Sequence, residues 1–462
     1  MFEAKVYTDR RNRLRKELNG GLILILGNPE ASYNYPANTY AFRQDSNFLY
    51  FFGLDHPDLA GVIDLDNGED YLFGNDVDID DIIWMGPQAL MSQQAVLTGI
   101  RNSAPLNALP KMIADAKAKG RRIHFVPPYR GETYMQINNL LNIPVGDVRN
   151  HVSIELIKGI IKLRSVKDEL EIAEIDKAVD IAYEMHTTSM RMAKPGIIER
   201  EISGTIEGIS LARGGPVSFP IILSIHGETL HNHYHGNVLR KGKMLVTDAG
   251  AETPLHYASD ITRTVPVGGK FDQRQKDIYE IVLEANMKTI ESTKPGIMNR
   301  ELHLMAAKII ASGLKNLGLM TGNVDDAVQK GAHAMFFPHG LGHMLGLDVH
   351  DMEGMGENYI GYNDKVKRSD QFGTSFLRLG KEHQPGFVFT IEPGIYFIPA
   401  LIDKWRAEKK FTEFINYTKL ESFKDFGGIR IEDDILVTKT GHKVLGKPIP
   451  KTVAEVETIM AS

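Results

Sequence analysis

Apolar and polar positions follow two different rhythms through the first third of this 462-residue chain. Residues Tyr7 to Leu18 place apolar side chains at helical spacing, and GLILILG at Gly21 to Gly27 is a short apolar run between glycines that predicts a buried strand. The runs NFLYFFGL and GVIDLD, aromatic and β-branched, predict a further strand pair, and Asp66-Asn67-Gly68 supplies hairpin turn chemistry before YLF. Helical spacing returns in ALMSQQAVLTGI and NALPKMIADAKAKG, and RRIHFV reads as a strand stopped by Pro127–Pro128. An α/β domain over residues 1–155 follows from this pattern. The acidic stretch with Asp76, Asp78, Asp80 and Asp81 is no calcium loop, because Asp81 stands where such a loop needs glycine; it reads as a solvated acidic loop.

From residue 156 to 462 the pattern predicts a second domain. One long helical stretch, ELIKGIIKLRSVKDELEIAEIDKAVDIAYEMHTTSMRMA, runs to the breaker Lys194-Pro195-Gly196. KPGIIERE at Lys194 to Glu201 returns as KPGIMNRE at Lys294 to Glu301, 100 residues later. That offset is too long for a solenoid unit and points to a two-copy duplication, each copy running helix, breaker, helix and then strands. A site at the seam of two pseudo-symmetric halves is expected.

Composition adds mostly exclusions. With 42% hydrophobic and 24% charged residues the chain is ordinary for a soluble protein. A formal net charge of −6 gives no basic surface for nucleic acid. The absence of cysteine removes disulfides, thiolate metal sites and a cysteine nucleophile, and fits a reducing, cytoplasmic setting. The charged opening MFEAKVYTDRRNRLRKEL lacks the apolar segment of a secretory signal, and no apolar run is long enough to span a bilayer, so no membrane partner is expected.

The chemistry lies in the last 215 residues, in four carboxylates and one histidine: Asp248 ending the apolar strand of LVTDAG, Asp260 on the strand of YASDITRT, His343 in the glycine-rich HGLGHMLGLDVH, Glu392 ending the apolar strand of FTIEPG and Glu432 on one face of GGIRIEDD. Taken singly each has an ordinary explanation, such as a turn aspartate or an exposed Arg430–Glu432 strand pair. Taken together, four carboxylates balance two divalent cations, and one imidazole leaves oxygen the dominant donor, which suits manganese or another fairly hard ion. Two such cations can generate a hydroxide for hydrolysis. Strand alternation puts Asp260, Thr262 and Thr264 on one face. His226, His231, His233 and His235 form a separate histidine-rich loop without carboxylates at ligand spacing.

These residues resemble the pita-bread metallopeptidases, and TYAFRQDSNFLYFFGL is similar to the N-terminal domain shared by aminopeptidase P and prolidase but absent from methionine aminopeptidase. The resemblance implies a creatinase/prolidase-like α/β N-terminal domain, a duplicated α+β pita-bread catalytic domain, and a homodimer or higher oligomer. It implies hydrolysis of Xaa–Pro bonds in dipeptides or oligopeptides with two divalent metal ions, usually Mn2+, with Co2+ or Zn2+ as alternatives. By the same resemblance Asp248, Asp260, His343, Glu392 and Glu432 are metal ligands, and Glu392 also serves the nucleophilic water. His231 contacts substrate, His339 and His350 line the proline pocket and steady the tetrahedral intermediate, Tyr396 adds an aromatic wall, and Arg430 supports a ligand. The family usually spaces its two aspartates eleven residues apart; here they are twelve apart, with the extra residue expected near Thr253–Pro254. Arg378, fourteen residues before Glu392, resembles the prolidase arginine that grips a dipeptide's free carboxylate, and the long segment between Glu392 and Glu432 is also prolidase-like. Prolidase is preferred over aminopeptidase P; a catalytically inactive binding protein of the same fold is the remote alternative, disfavoured because all five ligands are present.

Overall fold

The computed structural model describes residues 1–462 and divides them into two compact units. The first comprises Met1–Arg164 with Gly354–Tyr359, and the second Ser165–Glu353 with Ile360–Ser462. The helical stretch expected to run unbroken to Lys194 is two helices, Ile154–Ser165 and Glu169–Met192. Asp168 causes the interruption: its carboxylate accepts from the amides of Leu170 and Glu171, and Glu171 returns a bond to the Asp168 amide. That reciprocal cap starts a new helix. The helix Ile154–Ser165, at whose start the expected boundary near residue 155 falls, clusters with the first unit.

In the first unit a five-stranded sheet runs in the order Asn102–Ala104, Asp70–Phe73, Ala60–Asp64, Leu22–Leu26, Ile123–His124, antiparallel in the middle and parallel at both edges. Leu22, Leu24, Val62 and Phe73 pack with Leu109, Ile113, Ile137 and Leu141 of two covering helices. NFLYFFGL is not a strand. Its first six residues lie in the helix Ser46–Phe52, capped by Asp45 at one end and by left-handed Gly53 at the other. All seven helical residues are buried, so the polar face that would reveal a helical period is missing. The acidic stretch is a loop in part: Asp78 and Asp81 form a reciprocal cap on the helix Ile79–Met85.

The second unit repeats itself. Helices Glu169–Met192 and Glu199–Ala212 precede the sheet Ile222–Ser224, Met244–Ala249, Ile261–Pro266. Helices Gln273–Ser292 and Asn299–Asn316 precede the sheet Val388–Ile391, Asp433–Val437, His442–Val444. The repeated breaker works the same way in each copy. The amide of Gly196 donates to Leu239 O while the amide of Leu239 donates to Ile197 O; Gly296 and His383 make the matching exchange with His383 O and Ile297 O. Hydrogen bonds from the Glu432 amide to Thr262 O and from Thr264 Oγ1 to Arg430 O stitch the two halves together at the ligand strands.

Candidate active site

A cavity of about 660 Å³ in the second unit is lined by all five expected ligands, together with His231, His233, His339, His350, Arg378 and Arg430. Each carboxylate ligand sits at or next to a strand end, where the backbone is fixed but the side chain can leave the sheet, while His343 lies in an irregular segment beside the isolated bridge of Met344 to Phe389. Asp248 is the penultimate residue of Met244–Ala249, and Asp260 immediately precedes Ile261–Pro266. The turn between them carries His256 in the left-handed region (φ 64°), closed by a bond from the Thr253 amide to Tyr257 O and held by Glu252. Glu392 follows Val388–Ile391, and Glu432 lies between Gly428–Arg430 and Asp433–Val437. The expected alternation is visible in the contacts, since Thr262 Oγ1 donates to Glu432 Oε2 at 2.7 Å.

Two groups of donor atoms lie close enough to share an ion each: Asp248, Asp260 and Glu432, and His343, Glu392 and Glu432, all atoms of a group within 4.8 Å of one another. Glu432 belongs to both. His343 Nδ1 is 3.2 Å from Met344 O, which places its proton there and leaves the Nε2 lone pair facing Asp260 Oδ2 at 3.3 Å and Glu392 Oε1 at 3.8 Å. A third group joins Asp260 and His343 to His350.

Electrostatics give the test of fit. Burial and the neighbouring carboxylates drive Asp260 and Glu432 well above the usual carboxylate range. Burial, then Asp260 and Asp248 against the opposing Arg430, pushes Glu392 up to about 8. One Asp248 oxygen is buried without any hydrogen-bond partner, while the other pairs with Arg430. Four acidic groups crowded together with an orphaned oxygen are costly alone and suited to cations. The donor set, carboxylate oxygens plus one imidazole, fits a pair of hard to borderline divalent ions.

The other expected residues divide. His339 is held at both nitrogens, 2.8 Å from Gly340 O and 2.9 Å from Tyr396 Oη, and burial keeps it neutral, its pKa lowered to about 3. Tyr396, expected as a pocket wall, is absent from the lining. Its ring is fully buried and its hydroxyl receives Arg430 Nη1 at 2.8 Å while meeting His339, so it stands behind the wall. Arg430 also donates to Thr262 Oγ1 and Asp248 Oδ2. His231 lines the cavity from an exposed loop, and His233 joins it. The apolar lining includes Phe219, Leu230, Phe372 and Phe376, which no sequence motif marked. Glu353 was also missed. Its carboxylate accepts from His350 Nδ1 and lies 3.4 Å from Arg378 Nε; the only sequence signal is an acid three residues after a site histidine.

Comparison with known proteins agrees with this architecture. The family described as metallopeptidase family M24 matches residues 173–439, and the aminopeptidase P N-terminal domain matches residues 7–124. A Homo sapiens protein named Xaa-Pro dipeptidase is 33% identical over 97% of this chain and 91% of its own length. A probable Xaa-Pro aminopeptidase of Uncinocarpus reesii is 31% identical over 95% of this chain and 90% of its own. The solved structure of an Escherichia coli aminopeptidase P variant in complex with substrate superimposes with a TM-score of 0.81 at 28% identity, covering 100% of this chain and 98% of that one. With its duplicated catalytic unit and a candidate dinuclear site at the seam, the chain belongs to metallopeptidase family M24.

Proposed function

We propose that this metallopeptidase cleaves the bond before proline and that its preferred substrates are Xaa–Pro dipeptides. The observation that carries the reading is Arg378, whose guanidinium lines the same cavity as the ligand cluster. A fixed cation beyond the proline pocket recognises a free C-terminal carboxylate and meets an uncharged amide in a longer chain. The proline-directed activities named for the human and Uncinocarpus relatives support the substrate class.

Asp248, Asp260, His343, Glu392 and Glu432 would hold two divalent cations, manganese first among the candidates, with cobalt or zinc as substitutes. When bound, such cations supply Lewis acidity and acidify water near neutral pH. Glu392 takes a proton from the attacking water and returns it to the departing proline nitrogen. His350, whose Nδ1–H is held by the Glu353 carboxylate, is set against the carbonyl under attack and, as the imidazolium, donates from Nε2 to its oxygen. His339, both nitrogens occupied, presents a ring face to the proline, while His231 approaches the substrate from the exposed loop. Arg430 fixes Asp248 and Tyr396. The same reading carries a cytoplasmic homodimer or higher oligomer, which light scattering in solution would measure.

Aminopeptidase P activity on longer peptides is the second reading, favoured by one observation: Arg378 already faces the carboxylate of Glu353. The deciding assay measures kcat/KM for an Xaa–Pro dipeptide and an Xaa–Pro tripeptide with the native enzyme and Arg378→Ala. The dipeptide is expected to be preferred, and the preference to collapse in the variant. Equal cleavage of both peptides, unchanged by the substitution, rejects the dipeptidase.

A further inference from the structure

Glu353 ends the short turn that begins at His350. His350 Nδ1 lies 2.5 Å from its carboxylate, and Arg378 Nε lies 3.4 Å from the same oxygen. One anion therefore touches both the imidazole assigned to the reacting carbonyl and the guanidinium assigned to the substrate's carboxylate. Its ionisation is secure, since the His350 hydrogen bond, followed by the charges of His350 and Arg378, overcomes partial burial and lowers its pKa to about 2.

The backbone is shaped to place it there. Met352 holds φ 66°, a left-handed conformation that bulky L residues rarely adopt, and the Glu353 amide donates back to His350 O at 3.1 Å. Asp351 anchors the turn from beneath through a fully buried ion pair with Lys167 at 2.9 Å. A left-handed methionine kept in place by a buried ion pair is an observed strain that needs a purpose, and what it delivers is the Glu353 carboxylate.

We propose that Glu353 sets the length selectivity of the site: it is a resident counter-ion that a substrate's terminal carboxylate must share at Arg378, and it keeps His350 in register while doing so. The proposal rests on Arg378 being the carboxylate reader. Two carboxylates at one guanidinium repel each other, so Glu353 narrows the advantage a dipeptide has over a peptide with an amide at that position. Glu353 and Arg378 are both partly exposed, so solvent screens the repulsion and limits it to a modest factor. Glu353 is thus a positioning residue for His350 and a specificity residue for the substrate's far end.

The test uses the full-length, metal-loaded enzyme with three substrates: an Xaa–Pro dipeptide, its C-terminal amide, and an Xaa–Pro tripeptide. Glu353→Gln keeps the shape and an acceptor for His350 Nδ1 but removes the charge. It is expected to lower KM for the dipeptide about fivefold, a size typical of a screened charge pair, and to raise the dipeptide-to-amide ratio of kcat/KM by the same factor. Glu353→Ala, which also releases His350, is expected to lower kcat on all three substrates, with glutamine restoring most of the loss. If Arg378→Ala leaves the dipeptide-to-amide ratio unchanged, Arg378 does not read the carboxylate, and both the dipeptidase reading and this proposal fall. If Arg378→Ala collapses the ratio while Glu353→Gln leaves it unchanged or lowers it, only the proposal falls. Unaltered kcat in Glu353→Ala overturns the positioning of His350.

Discussion

Arg430 lies buried among Asp248, Glu392 and Glu432, and each nitrogen of its guanidinium has its own partner. Nε reaches Thr262 Oγ1 at 3.0 Å, Nη1 reaches Tyr396 Oη at 2.8 Å, and Nη2 reaches Asp248 Oδ2. A lysine in its place keeps the charge but offers a single point of contact, so Asp248, Tyr396 and Thr262 can no longer all be held at once. Arg430→Lys is therefore expected to weaken divalent-ion binding about 10- to 100-fold, read by competition between metal-stripped protein and a chelating dye. Unchanged affinity rejects the supporting role. Glu392 makes a different prediction, because its carboxylate has to move a proton as well as bind. Glu392→Gln keeps the size and one oxygen and is expected to cut kcat by about 10²–10⁴ with a much smaller change in KM. Turnover within a few-fold of the parent enzyme excludes Glu392 as the proton carrier.

The helix Gln273–Ser292 holds the site directly through Asn286. Its amide nitrogen is 3.2 Å from Ile391 O and 3.3 Å from Ile431 O, the carbonyls immediately before Glu392 and Glu432. Its oxygen accepts from Lys451 Nζ, which also binds Asp433. One fully buried side chain thus clamps two ligand strands from behind. Asn286→Leu removes the side-chain donor from two buried carbonyls and one of two partners from Lys451, an expected loss of about 2–4 kcal/mol in urea unfolding, together with weaker metal binding. A variant with full metal affinity shows that the clamp is structural only. Nothing in the sequence marks Asn286, because an asparagine in a long helix is usually a surface residue and its partners lie over a hundred residues away. Elements were legible where local chemistry was unambiguous. The strands of Asp248 and Glu392 announce themselves as apolar runs ending in an acid, and the KPGI breakers by repetition. At corresponding places in that repeat, Glu199 bonds Ser224, the Ile225 amide and Asn237, and Asn299 bonds Leu379 O and His383. Glu199 so fixes the two ends of the His231 loop, and Asn299 the segment that carries Arg378. The buried helix Ser46–Phe52 and the cap at Asp168 were misread because total burial erases periodicity and a charged run hides a helix start.

Over the whole second unit, the stability that supports this site depends on histidines kept neutral by burial. His303 has no hydrogen-bond partner at either ring nitrogen, lies 5.2 Å from the Phe337 ring and 6.2 Å from the His333 ring, and is held down to about 3 by burial and then by His333. Burial likewise lowers His333 to about 4 and His383 to about 3. All three start from 6.5 when the chain unfolds, so their folded pKa values are depressed. Between pH 6.5 and about 4 the unfolded chain takes up protons that the folded protein refuses, and stability drains as the pH falls. Between its folded and unfolded pKa each such histidine gives a slope of at most about 1.4 kcal/mol per pH unit, so its stabilising contribution is fully present above 6.5 and lost as the pH falls toward the folded pKa. Replacing His303 with phenylalanine keeps a ring in that space and removes one of the three titrations. Loss of bound metal in acid affects parent and variant alike, so the quantity that matters is the difference between them. His303→Phe is expected to lose less stability than the parent between pH 7 and pH 5, by about 1–2 kcal/mol in urea unfolding midpoints converted to free energy. Parallel pH profiles for the two proteins exclude His303 as a source of acid lability, and assign the slope to the histidines that remain or to the site itself.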